Sequence, residues 1–537
     1  RKSRGSLGYN ERQYETMEGT LSFRHKFWNM IDVNAVAGMG RYLDKGTGMT
    51  VSYQNANDMI NDSNLAAADG PFSPTSYKYE NEKRSQFLRA SFDVLDRYVL
   101  TGTLRRDGTD KFFPDKKYSL FPSASVAWKM SNESFMQHLS WLNLLKVRAS
   151  YGVTGSDNLG TSLYGIIGIS REDVKFSNSG VTYVPYALQS ANYSDVTWQK
   201  TAMKNIGLDF SILKDKIWGS LDFFRNDVTN LLGTAPTSLL NMYGYRPING
   251  GHYKRTGVEL SLNTLNIQTP NFKWTSSLAL SHYNAYWIER MPNFDYKKYQ
   301  KRENEPMSAY YYYKTVGVIN EDRSNMPDSQ RSLPREAQLP GYPIIDDRNG
   351  DGKIDIDDIY MDNTLPKVYY GFGNTFTYKN FDLDIYMYGQ LGVKKFNSTH
   401  ASNCSAANLA SGTLASNPTD YAYAIWNSQT NPNGTVPGIA SSKSVALPEN
   451  APINTFWEKA SFLRVRNITL GYNWDTRKLA FLKGNVQTIR LFVDFQNPFT
   501  LTKFEGDDPE ITTAAGNLGH GQYPQLRVYS FGAKISF

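Results

Sequence analysis

Cysteine is almost absent from this sequence: one residue in 537, Cys404. That excludes an internal disulfide framework and any cysteine cage around a metal. No apolar run approaches the roughly 18 residues that a membrane-spanning helix needs, so a helical span is excluded as well. The six histidines, His25, His138, His252, His282, His400 and His520, form neither an HExxH motif nor a helical pair. A GxSxG elbow and a glycine-rich phosphate loop between strand and helix are also missing, which leaves the motif-borne enzyme classes without support. The formal charge of +7 comes from scattered Lys and Arg, with no dense basic run. A nucleic-acid partner is therefore not expected. The chain opens RKSRGSLGYNERQY, with no initiating Met and no apolar signal core, so either a leader has been removed or more chain precedes Arg1.

Aromatic residues are abundant: 14% of the chain, with 36 Tyr, 28 Phe and 10 Trp. They fall in segments of period-two alternation, the mark of strands with two unlike faces. In YYGFGNTFTYKNFDLDIYMYG, Tyr370, Phe372, Phe376 and Tyr378 share one face; after a turn at Lys379 and Asn380, Phe381, Leu383, Ile385 and Met387 alternate with Asp382, Asp384, Tyr386 and Tyr388. About fifteen such segments occur, near 12–27, 29–42, 84–96, 97–107, 118–130, 145–154, 196–212, 215–227, 252–265, 271–286, 366–379, 380–393, 461–474, 486–498 and 526–537. Many exceed the five or six residues usual in soluble sheets and suit tilted strands crossing a bilayer. Short links at Trp28-Asn29, Asp96, 214–216, 268–271 and Lys379-Asn380 alternate with long loops at about 43–83, 155–195, 228–251, 287–365, 394–460 and 499–525. Long loops outside and short turns inside are the layout of an all-β, transmembrane antiparallel β-barrel in an outer membrane. A propeller would show a repeat of about 40–50 residues, and none is present.

The layout sets direction. A last strand ending at Phe537 after a long outer loop finishes on the periplasmic side, so fifteen strands counted back start outside. An odd, unclosed set would leave unpaired amides in lipid at several kcal/mol each, hence the expectation that further strands precede Arg1.

Four stretches carry a family resemblance: LRRDGTDKFFPDKKYSLFPSASVAWKMSNESFM (104–136), LKVRASYGVTGSDNLG (145–160), RNGDGKIDIDDI with LPKVYYGFGNTFTYKNFDLDIYMYGQLG (348–392), and the ending. That ending comprises ASFLRVRNITLGYNW, QNPFTLTKFEGDDPEI and YPQLRVYSFGAKISF (460–537). In order and spacing these resemble the C-terminal barrel portion of SusC/RagA-type TonB-dependent transporters of Bacteroidota outer membranes. The resemblance implies a barrel of about 22 strands with a plugged lumen, so that residues 1–537 would be its C-terminal part, without plug and first strands. It also implies import of oligomeric nutrients, glycans first and oligopeptides second, driven through TonB via the plug. A SusD-like surface lipoprotein would act as lid, in a dimer of such pairs. A passive outer-membrane receptor or adhesin, holding ligand on its outer loops, is the alternative.

The segment 344–359, IIDDRNGDGKIDIDDI, fits a calcium-loop template: Asp347, Asn349, Asp351 at positions 1, 3 and 5, Gly352 at 6, then Lys353 (carbonyl), Asp355 and Asp358 at 7, 9 and 12. Alternate carboxylates on a tight turn supply the six to eight hard oxygens that Ca²⁺ takes; Mg²⁺ shares the oxygen preference. No flanking helices are present to swing, so the expected ion is structural, stiffening the outer loop. Beside it, Tyr310, Tyr311, Tyr312 and Tyr313, with Trp287, are candidates to stack sugar rings. The polar strand faces, with Asp382, Asp384, Tyr386, Arg490, Asp494 and Gln496, are expected to line the lumen, while Phe531, Ile535 and Phe537 meet lipid.

Overall fold

A computed structural model describes residues 3–56, 72–159, 166–169, 176–178, 181–183, 186–190, 193–237, 245–300, 304–397, 400–401, 423–438, 447–476, 486–506, 508–510 and 525–536. Fifteen strands form one antiparallel sheet, each bonded to its neighbours in chain order. They are β1 Ser3–Phe27, β2 Ile31–Ala56, β3 Ser73–Val94, β4 Tyr98–Thr109, β5 Tyr118–Lys129, β6 Leu142–Ser156, β7 Gln199–Ile212, β8 Ile217–Pro236, β9 Tyr245–Gln268, β10 Phe272–Glu289, β11 Val368–Tyr378, β12 Phe381–Leu391, β13 Phe462–Asp475, β14 Thr488–Thr502 and β15 Val528–Ser536.

The short links are tight turns because their residues accept left-handed backbone. Trp28 and Asn29 have φ of 49° and 53°, and Met30 N–H bonds Phe27 C=O at 2.9 Å. Leu95 and Asp96 repeat this with φ of 58° and 54°, closed by Arg97 N–H to Val94 C=O at 3.0 Å. Positive φ at both central residues is the type I′ pattern, whose twist matches that of the strands.

Two of the expected long loops are shorter than the sequence suggested. Residues 43–56 pair with β1 and residues 43–52 with 73–82, and 229–236 pairs with 245–252, so strands occupy most of 43–83 and 228–251. In these extensions polar residues such as Thr47, Lys78 and Asn249 interrupt the apolar ones, so no regular hydrophobic alternation marked them. Phe537 and Cys404 lie outside the described residues.

Register divides the sheet into two unlike faces. Leu88 sits opposite Leu104, Ile206 opposite Phe223, Leu470 opposite Val493, and Val493 opposite Phe531. All of these are exposed, Phe531 at 90%. A continuous band of water-exposed Leu, Ile, Val and Phe is unsustainable in a soluble protein and is what a lipid-facing surface requires. Toward the short-turn end this face carries aromatic pairs: Tyr98 on Trp128 at 6.4 Å, Trp274 on Phe376 at 5.5 Å, and Phe381 beside Tyr472 at 4.8 Å. Such a girdle belongs at a bilayer interface.

Candidate functional site: the polar wall and the loops folded over it

The opposite face is polar and laced with ion pairs. Arg490 pairs with Asp382 two strands away, Asp494 accepts from Thr469 Oγ1 at 2.5 Å, and Asp384 accepts from Thr375 Oγ1 at 2.5 Å. Asp384, Thr469, Asp494 and Ser530 stand in one cross-strand row. Arg490 reaches Asp382 only because Gly471 lies between them: a Cβ there would sit 2.5 Å from Asp382 Oδ2 and 2.7 Å from Arg490 Nη2. The wall repeats the device on β6 to β8. Arg148 lies over Gly207, whose Cβ would meet its guanidinium carbon at 2.5 Å. It donates to Asp222 at 2.7 Å, Asp209 at 3.1 Å and Asn205 at 3.2 Å. Tyr386 is also on this face, lying over Gly371 and Gly373; the structure places Asp384, Tyr386, Arg490 and Asp494 together on the polar wall, as alternation predicted.

Loops pack onto the same face. Phe121, on the polar side of β5, joins Phe112, Leu159, Val196 and Trp198 in a buried cluster. From the segment after β14, Glu510 accepts from Tyr388 Oη at 2.6 Å, and Asp508 accepts from Arg464 Nη2 at 2.8 Å. The polar face is thus the inner one.

The long connection from β10 to β11 builds a body of its own around Tyr299, Tyr311, Tyr313, Ile319, Tyr342, Ile345, Ile354 and Ile359. Here the tyrosine expectation changes. Tyr311, Tyr312 and Tyr313 are buried, Tyr313 at 0% exposure. Residues 309–312 pair with 360–363, and period-two alternation sends Tyr311 and Tyr313 into the core. Tyr310 and Tyr312 go to the other side, where they stack at 5.3 Å. Tyr310 is covered by Trp457 at 3.8 Å, and Tyr312 by Tyr360 at 5.8 Å. Burial pushes the hydroxyls of Tyr310, Tyr312 and Tyr313 above the ordinary tyrosine range. Trp287 joins Tyr253 at 6.1 Å instead. Tyr311, Tyr312 and Tyr313 are therefore packing residues, while Tyr310 and Trp287 are half-buried against their aromatic neighbours.

The acidic loop 347–358 sits directly against that core. Asp347 accepts N–H bonds from Gly350 at 2.8 Å and Gly352 at 2.9 Å. Asn349 accepts from Asp351 N–H and Asp351 from Lys353 N–H, at 3.0 and 2.9 Å. Gly350 and Gly352 hold φ of 71° and 80°, a region that costs other residues strain. Asp355 and Asp358 form a capping box on the short turn Ile356–Asp358. Asp358, at 0% exposure, accepts from the N–H groups of Asp355 and Arg348 at 2.8 and 2.9 Å. Burial pushes its carboxyl above the ordinary aspartate range, against the pull of those N–H groups. Tyr313 Oη donates to Asp355 C=O at 2.9 Å. The side chains thus fix the loop as a tight acidic turn, and a carboxylate oxygen holding one N–H retains a lone pair for a cation.

Residues 2–497 match the family described as TonB dependent receptor-like, beta-barrel. The chain belongs to this TonB-dependent receptor family. TonB-dependent receptor P3 of Formosa agariphila is 28% identical over 506 residues, covering 88% of this chain and 47% of the relative. TonB-dependent receptor SusC of Bacteroides thetaiotaomicron is 27% identical over 476 residues, 86% of this chain and 44% of its own length. Among solved structures, the RagAB peptide transporter superposes with TM-score 0.79 at 18% identity, over 100% of this chain and 57% of that one. The chain spans about half the length of the curated relatives it matches. The receptor is thus a TonB-dependent β-barrel of the outer membrane, with its apolar band in lipid and its ion-paired wall inside.

Two ion-paired clusters of this receptor are not announced by the sequence. Arg148 was legible in part, since alternation in LKVRASYG puts it on the polar face, but its partners lie 61 and 74 residues away. Arg464, Asp508 and Glu510 come from two stretches that carried the family resemblance, yet nothing in their spacing announced that they pair.

Proposed function

We propose that this chain supplies the wall and outer loops of an importer for oligomeric nutrients, oligosaccharides first and oligopeptides second. Transport is driven through TonB and lidded by a SusD-like lipoprotein, in a dimer of such pairs. The observation that carries the reading is the character of the inner wall. A cavity of about 770 Å³ there is lined by Ser220, Asp222, Glu259, Ser281, Tyr386 and Tyr388, among others. Hydroxyls, carboxylates and tyrosine rings spread along a wall suit a chain of repeated polar units better than one compact ligand. Support comes from the relative named SusC and from the fold shared with a structure titled as a peptide transporter. The loop 347–358 holds a structural Ca²⁺, with Asp347, Asn349, Asp351, Lys353, Asp355 and Asp358 as its oxygen donors.

The test is uptake of labelled oligosaccharides and oligopeptides by cells with and without the receptor gene, before and after collapse of the inner-membrane proton gradient. Import predicts gene-dependent uptake that stops with the gradient while surface binding persists. Binding indifferent to the gradient, with no uptake, would make the protein a passive receptor or adhesin.

A further inference from the structure

Away from the acidic loop, three side chains from three separate segments converge. His400 follows the short strand Lys394–Phe396, Glu458 lies on its partner Trp457–Lys459, and Glu505 is in the segment after β14. One ligand atom from each, an imidazole nitrogen and two carboxylate oxygens, lie within 4.8 Å of one another. We infer that His400, Glu458 and Glu505 form a transition-metal site, with Zn²⁺ as the cation its chemistry favours.

Three observations point this way. The His400 imidazole is 6% exposed and its Nδ1 is hydrogen-bonded to Glu458 Oε1 at 2.9 Å. Ligands on a tetrahedral Zn²⁺, each about 2.0 Å from the metal, are spaced about 3.3 Å apart, so once the ion displaces the shared proton the two atoms need part by only a few tenths of an ångström. Second, the Glu458 carboxylate is fixed in place by outer hydrogen bonds, as metal-binding carboxylates are: Asn397 Nδ2 donates to its Oε1 at 2.9 Å and Glu505 N–H to its Oε2 at 3.2 Å. Third, the donor set is mixed. An imidazole with two carboxylates suits Zn²⁺ and its neighbours in the first transition row, whereas Ca²⁺ takes oxygen alone. The exposed Glu505 leaves the site open to solvent, a route for the ion and a position for water.

A metal here ties the segment after β14 to both ends of the long 397–457 connection. Trp457, next to Glu458, covers Tyr310, so the same ion steadies the tyrosine-cored body over the barrel mouth.

The experiment is Zn²⁺ titration of the purified full-length receptor in detergent, with Ca²⁺ in excess, followed by calorimetry. One saturable Zn²⁺ is expected, weakened at least tenfold in His400→Ala and in Glu505→Gln and unchanged in Asp347→Asn. Glu505 is exposed, so Glu505→Gln keeps the fold should His400→Ala lose it. No saturable Zn²⁺ in the wild type overturns the site, as does wild-type affinity in Glu505→Gln; loss in Asp347→Asn reassigns the ion to the acidic loop.

Discussion

At the scale of single residues, the inner wall depends on glycine where a side chain must cross a strand. Gly471→Val should separate Arg490 from Asp382 and cost about 1–3 kcal/mol, because a half-buried carboxylate is left short of its partner. The measurement is the urea midpoint of folded receptor in vesicles. In a background where Arg490 and Asp382 are both Leu the same change should cost much less; an equal cost in both backgrounds would sink the ion-pair explanation. Asp508 sets a pH dependence. Burial alone would raise its carboxyl, but the N–H groups of Glu510 and Gln525 and the Arg464 guanidinium outweigh it and hold the group below the ordinary aspartate range. A folded value lower than the unfolded one gives stability that is present above the unfolded value, about 3.9, and is lost as pH falls through the folded one. Hydrogen exchange across 503–510, corrected for intrinsic rate, should therefore loosen only below about pH 4. Asp508→Asn should abolish that step.

At the scale of elements, the strands are longer than the membrane is thick. β2 has 26 residues, about 85 Å at roughly 3.3 Å each, against an apolar band of about 25 Å. The extensions carry the polar pairing that sequence alternation missed, and they raise the loops clear of the bilayer. Depth along a strand should then decide the cost of a charge. Phe223→Arg, within the apolar band, should destabilise by about 2–4 kcal/mol, while Met17→Arg, on the same face but beyond the band and opposite Arg41, should cost about 0–1. Equal costs in vesicle unfolding would mean that the band is misplaced.

For the whole molecule, the loops and the barrel are one construction. The acidic loop touches Tyr313, Tyr313 anchors the core of the 287–365 body, and Tyr310 Oη bonds Ile453 C=O at 3.1 Å in the next long connection. A structural ion at 347–358 should accordingly protect more than its own twelve residues. Chelation of Ca²⁺ should speed protease cleavage across both 287–365 and 447–460, and Asp358→Ala should do the same with Ca²⁺ present. Cleavage confined to the acidic loop would show that the ion steadies that turn alone.

The sequence by itself determined the strand number, the turns and the sidedness of the wall. All three follow from period-two alternation and from residues such as Asn29 and Asp96 that accept left-handed backbone, and these are local properties. It also placed Asp384, Tyr386, Arg490 and Asp494 on the inner face, because side-chain direction in a strand is fixed by parity. Only the tertiary structure decided what Tyr310 to Tyr313 do. Parity splits them between two faces, but which faces are covered depends on Trp457, more than 140 residues away. The Arg148, Arg464 and His400 clusters were illegible for the same reason: each joins strands or loops that become neighbours only when strands pair and loops pack onto them, a contact order that no local pattern records.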